Sequence, residues 1–375
     1  MSFVPFNDLQ DLHLPKRDEF HKILDHHLDN SAFIGGESVA QFEHDFAEFC
    51  ETPGCVGTSS GTDALYVALK CMEVGVGDAV LTAPNSFIAT AEAISMCGAT
   101  PVFVDIQSDD LNLDPIALER VLSSHPLKEH FKVLLPVHLH GRPAQMEALS
   151  VLAQGAGLEM LADGAQAHGA RVGQRSVNEL ARATTYSFYP GKNLGALGDA
   201  GAIVSHDNEL LSKMKAFSNH GREDKYLHRE VGCNARLDAL QASFLKFKLR
   251  SLGEQTQMRQ KIASKYREAF EDLPFLLLPK DPPDGGVVYH LFIVLCDERD
   301  ALQNHLSGLG VQTGVHYPVP LHLQKAYAHL GYQEGDFPVA EAQAQRTLSL
   351  PLFPHMSEEQ IEQVISSVRS FNPGR

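Results

Sequence analysis

The feature that most limits what this chain can become is a rhythm between residues 61 and 205, where short apolar runs rich in β-branched residues alternate with helical stretches. The runs cover residues 79–83, 101–106, 132–138, 159–163, 185–189 and 201–205. Strand and helix in alternation predict βαβ units, and therefore an α/β fold around a mostly parallel sheet. Runs such as TPVFVDI and LLPVHL are apolar almost without interruption, as strands covered on both faces must be. Ligands of such sheets collect at the carboxyl ends of the strands, so the residues just after each run are where chemistry is expected.

After Arg236 the pattern changes to a long amphipathic segment, residues 237–273, with Leu240, Phe244, Phe247 and Leu249 near helical spacing. Beyond it come a strand candidate at 287–296, helices at 299–309 and 358–371, and Pro-rich loops. This predicts a large domain over residues 1–240 and a smaller C-terminal α/β domain over 241–375.

A chain of 375 residues that is 43% hydrophobic can bury a large core. Its 31 basic and 47 acidic side chains leave a formal charge of −16, which argues against nucleic acid and anionic membranes as partners. A phosphorylated small molecule stays compatible, because a few local cations and N–H groups hold one phosphate whatever the global charge. The first twenty residues are charged, and no stretch offers the roughly 18 uncharged apolar residues of a membrane span, so a cytoplasmic location is expected. Six cysteines (50, 55, 71, 97, 233 and 296) form no C-x-x-C pair. They read as reduced thiols, mostly in the core, and no metal site is expected.

Three segments lie just after predicted strands or open predicted helices. In Gly57-Thr58-Ser59-Ser60-Gly61-Thr62-Asp63, small and hydroxylated residues run into the apolar helix ALYVAL. The unpaired N–H groups of that helix start, capped by Ser60 or Thr62, suit a phosphate, though an ordinary N-cap looks the same. Asp163, at the end of a strand in LADGAQAHGA, can hold a heterocyclic nitrogen protonated or simply cap the next helix. Lys192 stands alone between SFYPG and the glycine-rich NLGALGDAG. Packed there, a lysine loses solvation and presents a free amine for imine formation with an aldehyde; in a solvated loop it would do nothing.

Taken together and in this order, the segments resemble the DegT/DnrJ/EryC1/StrS family of sugar aminotransferases, which depend on pyridoxal 5′-phosphate (PLP) and have the fold type I, aspartate aminotransferase-like architecture. The likeness runs nearly end to end, through VPFNDL, FIGGESVAQFEHDFAEF, GTDAL, PNSFIATAEAI, DGAQAHGA, SFYPGKNLGALGDAGAIV, NHGR, NARLDALQA, YHLF, HYPVPLHLQKAY and LSLPLFP. The resemblance implies that Lys192 forms the internal aldimine and then carries the proton of the amino-group shift. It implies that Asp163 pairs with the ring nitrogen, Phe87 lies against the ring face and Gln166 sits near the ring's phenolic oxygen. The phosphate falls to the Gly61 and Thr62 N–H groups, the Ser187 hydroxyl and Asn234 of the second subunit, so a homodimer with shared active sites is expected.

The same resemblance implies two half-reactions. An amino donor, commonly L-glutamate, converts PLP to pyridoxamine phosphate, which then aminates a nucleotide-linked keto-sugar. Family members that dehydrate at C3 carry histidine at the position of Lys192, so transamination is expected here. The string AQAHGA resembles the branch that acts on 3-keto hexoses, with His168 near cofactor or sugar. Arg222, Tyr226 and His228 fall in what resembles the substrate loop, and His316, Tyr317 and His322 in a region that approaches the nucleotide. His26, His27, His138 and His140 read as core or surface histidines.

The chain departs from the family pattern at Ala162, where glutamate is common, at Gly35-Gly36, where Gly-Pro is common, and at Leu295-Cys296, where a basic residue is common. These touch sugar specificity more than chemistry. Amination at C4 or of a keto-inositol is the alternative within the same chemistry. A non-catalytic PLP-binding regulatory protein is the alternative outside it, and has no use for a proton-carrying lysine. A nicotinamide oxidoreductase would need a G-x-G-x-x-G fingerprint that this chain lacks.

Overall fold

In the computed structural model, which describes residues 3–283 and 285–374, the apolar runs become strands because alternate residues enter different cores. The strands are β1 (Gly54–Thr58), β2 (Ala79–Thr82), β3 (Thr100–Phe103), β4 (Phe131–Leu135) and β5 (Glu159–Asp163), then a small separate hairpin of β6 (Arg171–Val172) and β7 (Arg175–Ser176), then β8 (Ala183–Ser187) and β9 (Gly201–Ser205). From β2, Ala79 and Leu81 face one core and Val80 the other; from β4, Leu134 faces the first and Val133 and Leu135 the second. A strand with apolar partners on both sides has no polar face to show.

The seven-stranded sheet has the order β1-β9-β8-β5-β4-β2-β3. β2 pairs in parallel with β3 and β4, β4 with β5, and β5 with β8, while β9 runs antiparallel to both neighbours. The sheet is therefore mostly parallel, and β1, β2, β4, β5 and β8 all end at one edge. The strand expected at 185–189 begins earlier and stops at Ser187, where Tyr189 and Pro190 open the turn that carries Lys192.

Helices α1 (Leu9–His13), α2 (Arg17–Asn30) and α3 (Glu37–Phe49) precede the sheet, and α4 (Gly61–Cys71), α5 (Ile88–Met96), α6 (Pro115–Ser124) and α7 (Met146–Gly155) cross over between its strands. α4 and α5, with α8 (Asn208–Phe217), supply the core on one face; α6 and α7 supply the other. The pair Gly35-Gly36 makes the entry into α3: both have positive φ, and Gly36 (φ 79, ψ −162) occupies a region open essentially to glycine alone.

The amphipathic segment 237–273 is two helices, α9 (Ala239–Leu249) and α10 (Leu252–Phe270), because its halves serve different cores. α9 buries Ala242 and Leu245 with Phe42 and Phe46 of α3, whereas α10 buries Ile262, Ala263, Tyr266 and Phe270 with α11 (Arg299–Gly308) and α13 (Glu358–Arg369). Ser251 marks the break, donating to Lys248 O at 3.1 Å and accepting from Gln255 at 3.0 Å. Between α10 and α13 lie the antiparallel pair β10 (Phe292–Leu295) and β11 (Thr347–Leu350), with α12 (Pro338–Arg346) before β11. Leu291, Ile293 and Ala340 join the core under β2 and β4, which seats this C-terminal part on the sheet. Val4 is bridged to Val311 and lies in the C-terminal core, although it precedes the sheet in sequence.

All six cysteines are free thiols, with Cys50, Cys55, Cys97 and Cys296 buried. Among the described residues no helix is long and apolar enough to cross a membrane, and no three His, Cys, Asp or Glu side chains are grouped so as to hold a metal.

Candidate active site

A cavity of about 670 Å³ opens at the shared carboxyl edge of the sheet. The strands that end there deliver their terminal or next residues to its wall: Ser60, Gly61 and Thr62 after β1, Ser86 and Phe87 after β2, Val137 after β4, Asp163 at the end of β5 and Ser187 at the end of β8. Lys192 enters from the turn after β8, and His290, Leu291, His316, Tyr317 and Leu352 close the cavity from the C-terminal side.

Asp163 is buried, with Oδ2 accepting from Thr90 Oγ1 at 2.8 Å and Oδ1 from the Ala165 N–H at 3.1 Å. Burial pushes its pKa up, against the pull of the Ala165 N–H, Thr90 and the Lys192 charge. Lys192 moves the other way: desolvation lowers its amine to about 8, with Asp163 opposing. Both ionisable groups therefore lie closer to neutrality than in water, the condition in which a small electrostatic change moves a proton. Gln166 accepts the His140 N–H at 2.6 Å and donates to Tyr317 Oη at 3.4 Å, which fixes its amide. Phe87 is 53% exposed, lies on the cavity and leans against Tyr317 with ring centroids 5.7 Å apart.

At the start of α4, Ser60 is the cap, accepting the Asp63 N–H at 3.0 Å, which leaves Gly61 and Thr62 N–H groups facing the cavity. Gly61 is required by close approach, since a Cβ there would come within 2.5 Å of Ser187 Cβ. The helix start and the Ser187 hydroxyl are thus drawn against each other with nothing larger than hydrogen between them.

Several expected site residues lie elsewhere. His322 is a correction: it is buried away from the cavity, bonded to Glu341 Oε1 at 3.0 Å and packed on Phe337, and is a core histidine. His168 is wholly buried behind the cavity wall against Tyr186 and Phe188, where desolvation lowers its pKa to about 3. Its ring touches the strand that bears Ser187 rather than the cavity. Asn234 is exposed, bridged to Asn219, and Arg222, Tyr226 and His228 form a surface loop in which Tyr226 is 79% exposed; none of the four lines the cavity of its own chain. His316 and Tyr317 do line it, with His316 Nδ1 2.8 Å from Ser349 Oγ and its pKa lowered to about 4 by burial. His27 is bonded through both ring nitrogens, His138 is a buried core histidine that accepts the Ala144 N–H through Nδ1, and His140 serves Gln166 through its backbone.

Sequence reasoning missed Thr90, Asn193, Arg259 and His290. Thr90 lies in PNSFIAT and His290 in YHLF, both matched as strings without a role. His290 Nδ1 meets Asn193 Oδ1 at 3.2 Å, and Asn193 donates to Val288 O at 3.0 Å, so the residue after Lys192 is tied to the C-terminal part.

The residues present fit PLP. An anion cradle, a buried carboxylate and a lysine amine of lowered pKa share one cavity large enough for a small phosphorylated ring. Fold and fit define a PLP-dependent transferase of fold type I. Within that class the chain belongs to the DegT/DnrJ/EryC1/StrS aminotransferase family, whose profile matches residues 15–369. It is 42% identical, over 98% of its length and 99% of the relative, to the erythromycin biosynthesis sensory transduction protein EryC1 of Saccharopolyspora erythraea. It is 41% identical, over 98% of its length and 96% of the relative, to dTDP-3-amino-3,4,6-trideoxy-alpha-D-glucose transaminase of Streptomyces venezuelae. A crystal structure of S. venezuelae DesV in complex with a ketimine intermediate superposes with a TM-score of 0.95 at 41% identity, covering 98% of both chains.

Proposed function

We propose that this aminotransferase moves an amino group from L-glutamate to C3 of a nucleotide-linked keto-hexose, working as a homodimer. The observation that carries the reading is the meeting of Lys192 and Asp163 in one cavity, with the lysine amine lowered to about 8. Bound PLP supplies an electron sink for the bond broken next to nitrogen. Lys192 Nζ holds and moves the proton in both half-reactions. Asp163, aligned by Thr90 and the Ala165 N–H, keeps the ring nitrogen protonated, and that cation in turn supports its ionised form. Gln166 stands beside the ring, Phe87 covers its face, and the Gly61 and Thr62 N–H groups with Ser187 bind the phosphate.

Asn234, Tyr226 and His228 are exposed on the single chain and Arg222 is half-buried at the base of their loop; we assign them to the neighbouring subunit's site, Asn234 on the phosphate and the loop on the nucleotide. C3 amination is favoured by the likeness to a transaminase named for a 3-amino sugar. The name of the EryC1 relative favours a regulatory reading, but a sensor has no need of a proton-carrying lysine of lowered pKa beside Asp163. A reducing, cytoplasmic setting fits six free thiols. Residues 1–240 and 241–375 are proposed as the large and small domains, with the Ser251 break nearest the seam.

The experiment is an absorbance spectrum between about 300 and 500 nm, before and after L-glutamate, followed by product analysis with nucleotide-linked 3-keto and 4-keto hexoses and a keto-inositol. A band near the visible edge that moves to shorter wavelength with glutamate, and amination at C3, are expected. A chromophore that no amino acid alters would leave a PLP-binding protein without this activity, and amination only at C4 or of the inositol would replace the substrate.

A further inference from the structure

Arg259 is a buried cation in the cavity wall with no carboxylate paired to it among the described residues. It projects from the face of α10 that also buries Gln255, Ile262 and Tyr266, and it is 5% exposed. Its Nη1 donates to Leu352 O at 2.8 Å and more distantly to Tyr289 O at 3.5 Å. Nε is buried without a partner, and among the described residues no carboxylate pairs with the guanidinium. Burial alone lowers its pKa, to about 10, so it remains a cation at neutral pH. An unpaired buried charge is strongly disfavoured, and the usual remedies, a carboxylate or a shift to neutrality, are both missing here.

We propose that Arg259 binds a carboxylate of the amino donor, which rests on the aminotransferase reading of this cavity. The donor must bring its α-carbon to Lys192, and its α-carboxylate is one bond from that carbon. Arg259 shares the cavity with Lys192, and His290, between them in influence, has its pKa pushed down by burial and by both cations. Two other anions enter this cavity in the same reading, and each has its own donors. The cofactor phosphate has the α4 N-terminus and Ser187, and the nucleotide diphosphate has the cations of the surface loop. The planar fork of a guanidinium matches a carboxylate, and the neighbouring His316 and His290, held neutral, do not compete for it.

The test uses the full-length PLP-loaded enzyme and its Arg259→Lys and Arg259→Met variants. Four quantities are read: PLP affinity, the glutamate half-reaction by absorbance, the keto-sugar half-reaction started from the pyridoxamine form, and succinate binding by calorimetry. Expected in Arg259→Met are loss of succinate binding and a fall on the order of 100-fold in the second-order rate with glutamate, with PLP affinity and the keto-sugar half unchanged. Arg259→Lys, which keeps the charge and a donor for Leu352 O, is expected to recover part of both. Equal losses in the two half-reactions would make Arg259 a structural anchor, and a fall in PLP affinity would make it a phosphate ligand; either overturns the proposal, as does an unchanged succinate titration. If the wild type reacts with no amino acid, the functional reading fails, while succinate binding still decides the role of Arg259.

Discussion

Arg142 and Arg259 are buried to nearly the same degree, 4% and 5% exposed, in opposite surroundings. Arg142 Nη2 sits 2.8 Å from Asp281, which also accepts from Tyr289 Oη at 2.5 Å and meets Arg267 at 3.3 Å. Arg259 meets carbonyls only. The contrast recurs at other particular sites. Away from the cavity, His27 is bonded to Ala32 O and Ser243, Glu43 to the Gly57 N–H and Lys215, and His322 Nε2 to Glu341. Around the cavity the groups are left open, with Lys192 lowered, Asp163 raised and His316 held neutral. A bonded pair serves the fold, whereas a charged or ionisable group that lines a cavity with its solvation removed and not replaced is prepared for a ligand.

The largest effect that tests this division is at Lys192. Lys192→Ala is expected to bind PLP non-covalently and to lose transamination by about 10⁴-fold, read from single-turnover spectra. Its burial should also weaken the fold. The folded pKa of about 8 lies below the ordinary 10.5, so the penalty is full below about pH 8 and gone above 10.5. Lys192→Met is therefore expected to raise the stability of the cofactor-free protein at pH 7 by up to about 3 kcal/mol, and by nothing near pH 10.5. A melt showing Lys192→Met destabilised at pH 7 would place Lys192 among the bonded pairs instead.

Arg142→Met tests the other side. It leaves Asp281 without its buried partner and is expected to destabilise the protein by about 3 kcal/mol in urea unfolding, with the turnover of the remaining folded enzyme within about twofold of wild type. A large loss of turnover at full stability would erase the contrast between the two arginines.

The pattern of open groups was only partly legible in the sequence. Asp163 and Lys192 stand at the ends of well-marked strands among small residues, so their position and packing could be read locally. Gly61 could be placed at a helix start because the helix it opens is unambiguous, but its close approach to Ser187 joins two segments and could not be read locally. Nor could β1, since GCVGT carries two glycines in five residues and is an edge strand held in the sheet by its pairing with β9 alone. His322 misled because its motif neighbours line the cavity while its own ring turns to Glu341, a partner on α12. Arg259 and Thr90 were invisible for the same reason in reverse: what matters about each is a distant partner, present or missing, and periodicity along α10 or α5 says only which face is buried. Chemistry in one segment shows in sequence; chemistry made by convergence of segments does not.

Asp163→Asn tests whether the two open ionisable groups of the cavity are coupled. Asp163 is the group that raises the Lys192 pKa against burial, so its removal is expected to lower that amine further below about 8, read by amine titration of the cofactor-free protein. Transamination is expected to fall by about 100-fold, because the amide cannot support a protonated ring nitrogen. An unmoved Lys192 titration would mean that the two groups do not share a field, whatever happens to the rate.

The smallest effect is the most discriminating, because Thr90 is where the open groups and the bonded pairs meet. Its hydroxyl sits 2.7 Å from Ser86 Oγ and donates to Asp163 Oδ2 at 2.8 Å, so one closed hydrogen bond sustains an open carboxylate. Thr90→Val keeps the shape and removes that donor, at about 1 kcal/mol or roughly a fivefold loss of kcat/KM. Thr90 lowers the Asp163 pKa, so without it that pKa rises further, and the acid limb of the pH profile is expected to move to higher pH. Loss of rate with an unmoved acid limb would show that Thr90 only orients the carboxylate. Movement of the limb shows that a neutral hydroxyl is part of what keeps Asp163 ionised in a site where burial alone would protonate it.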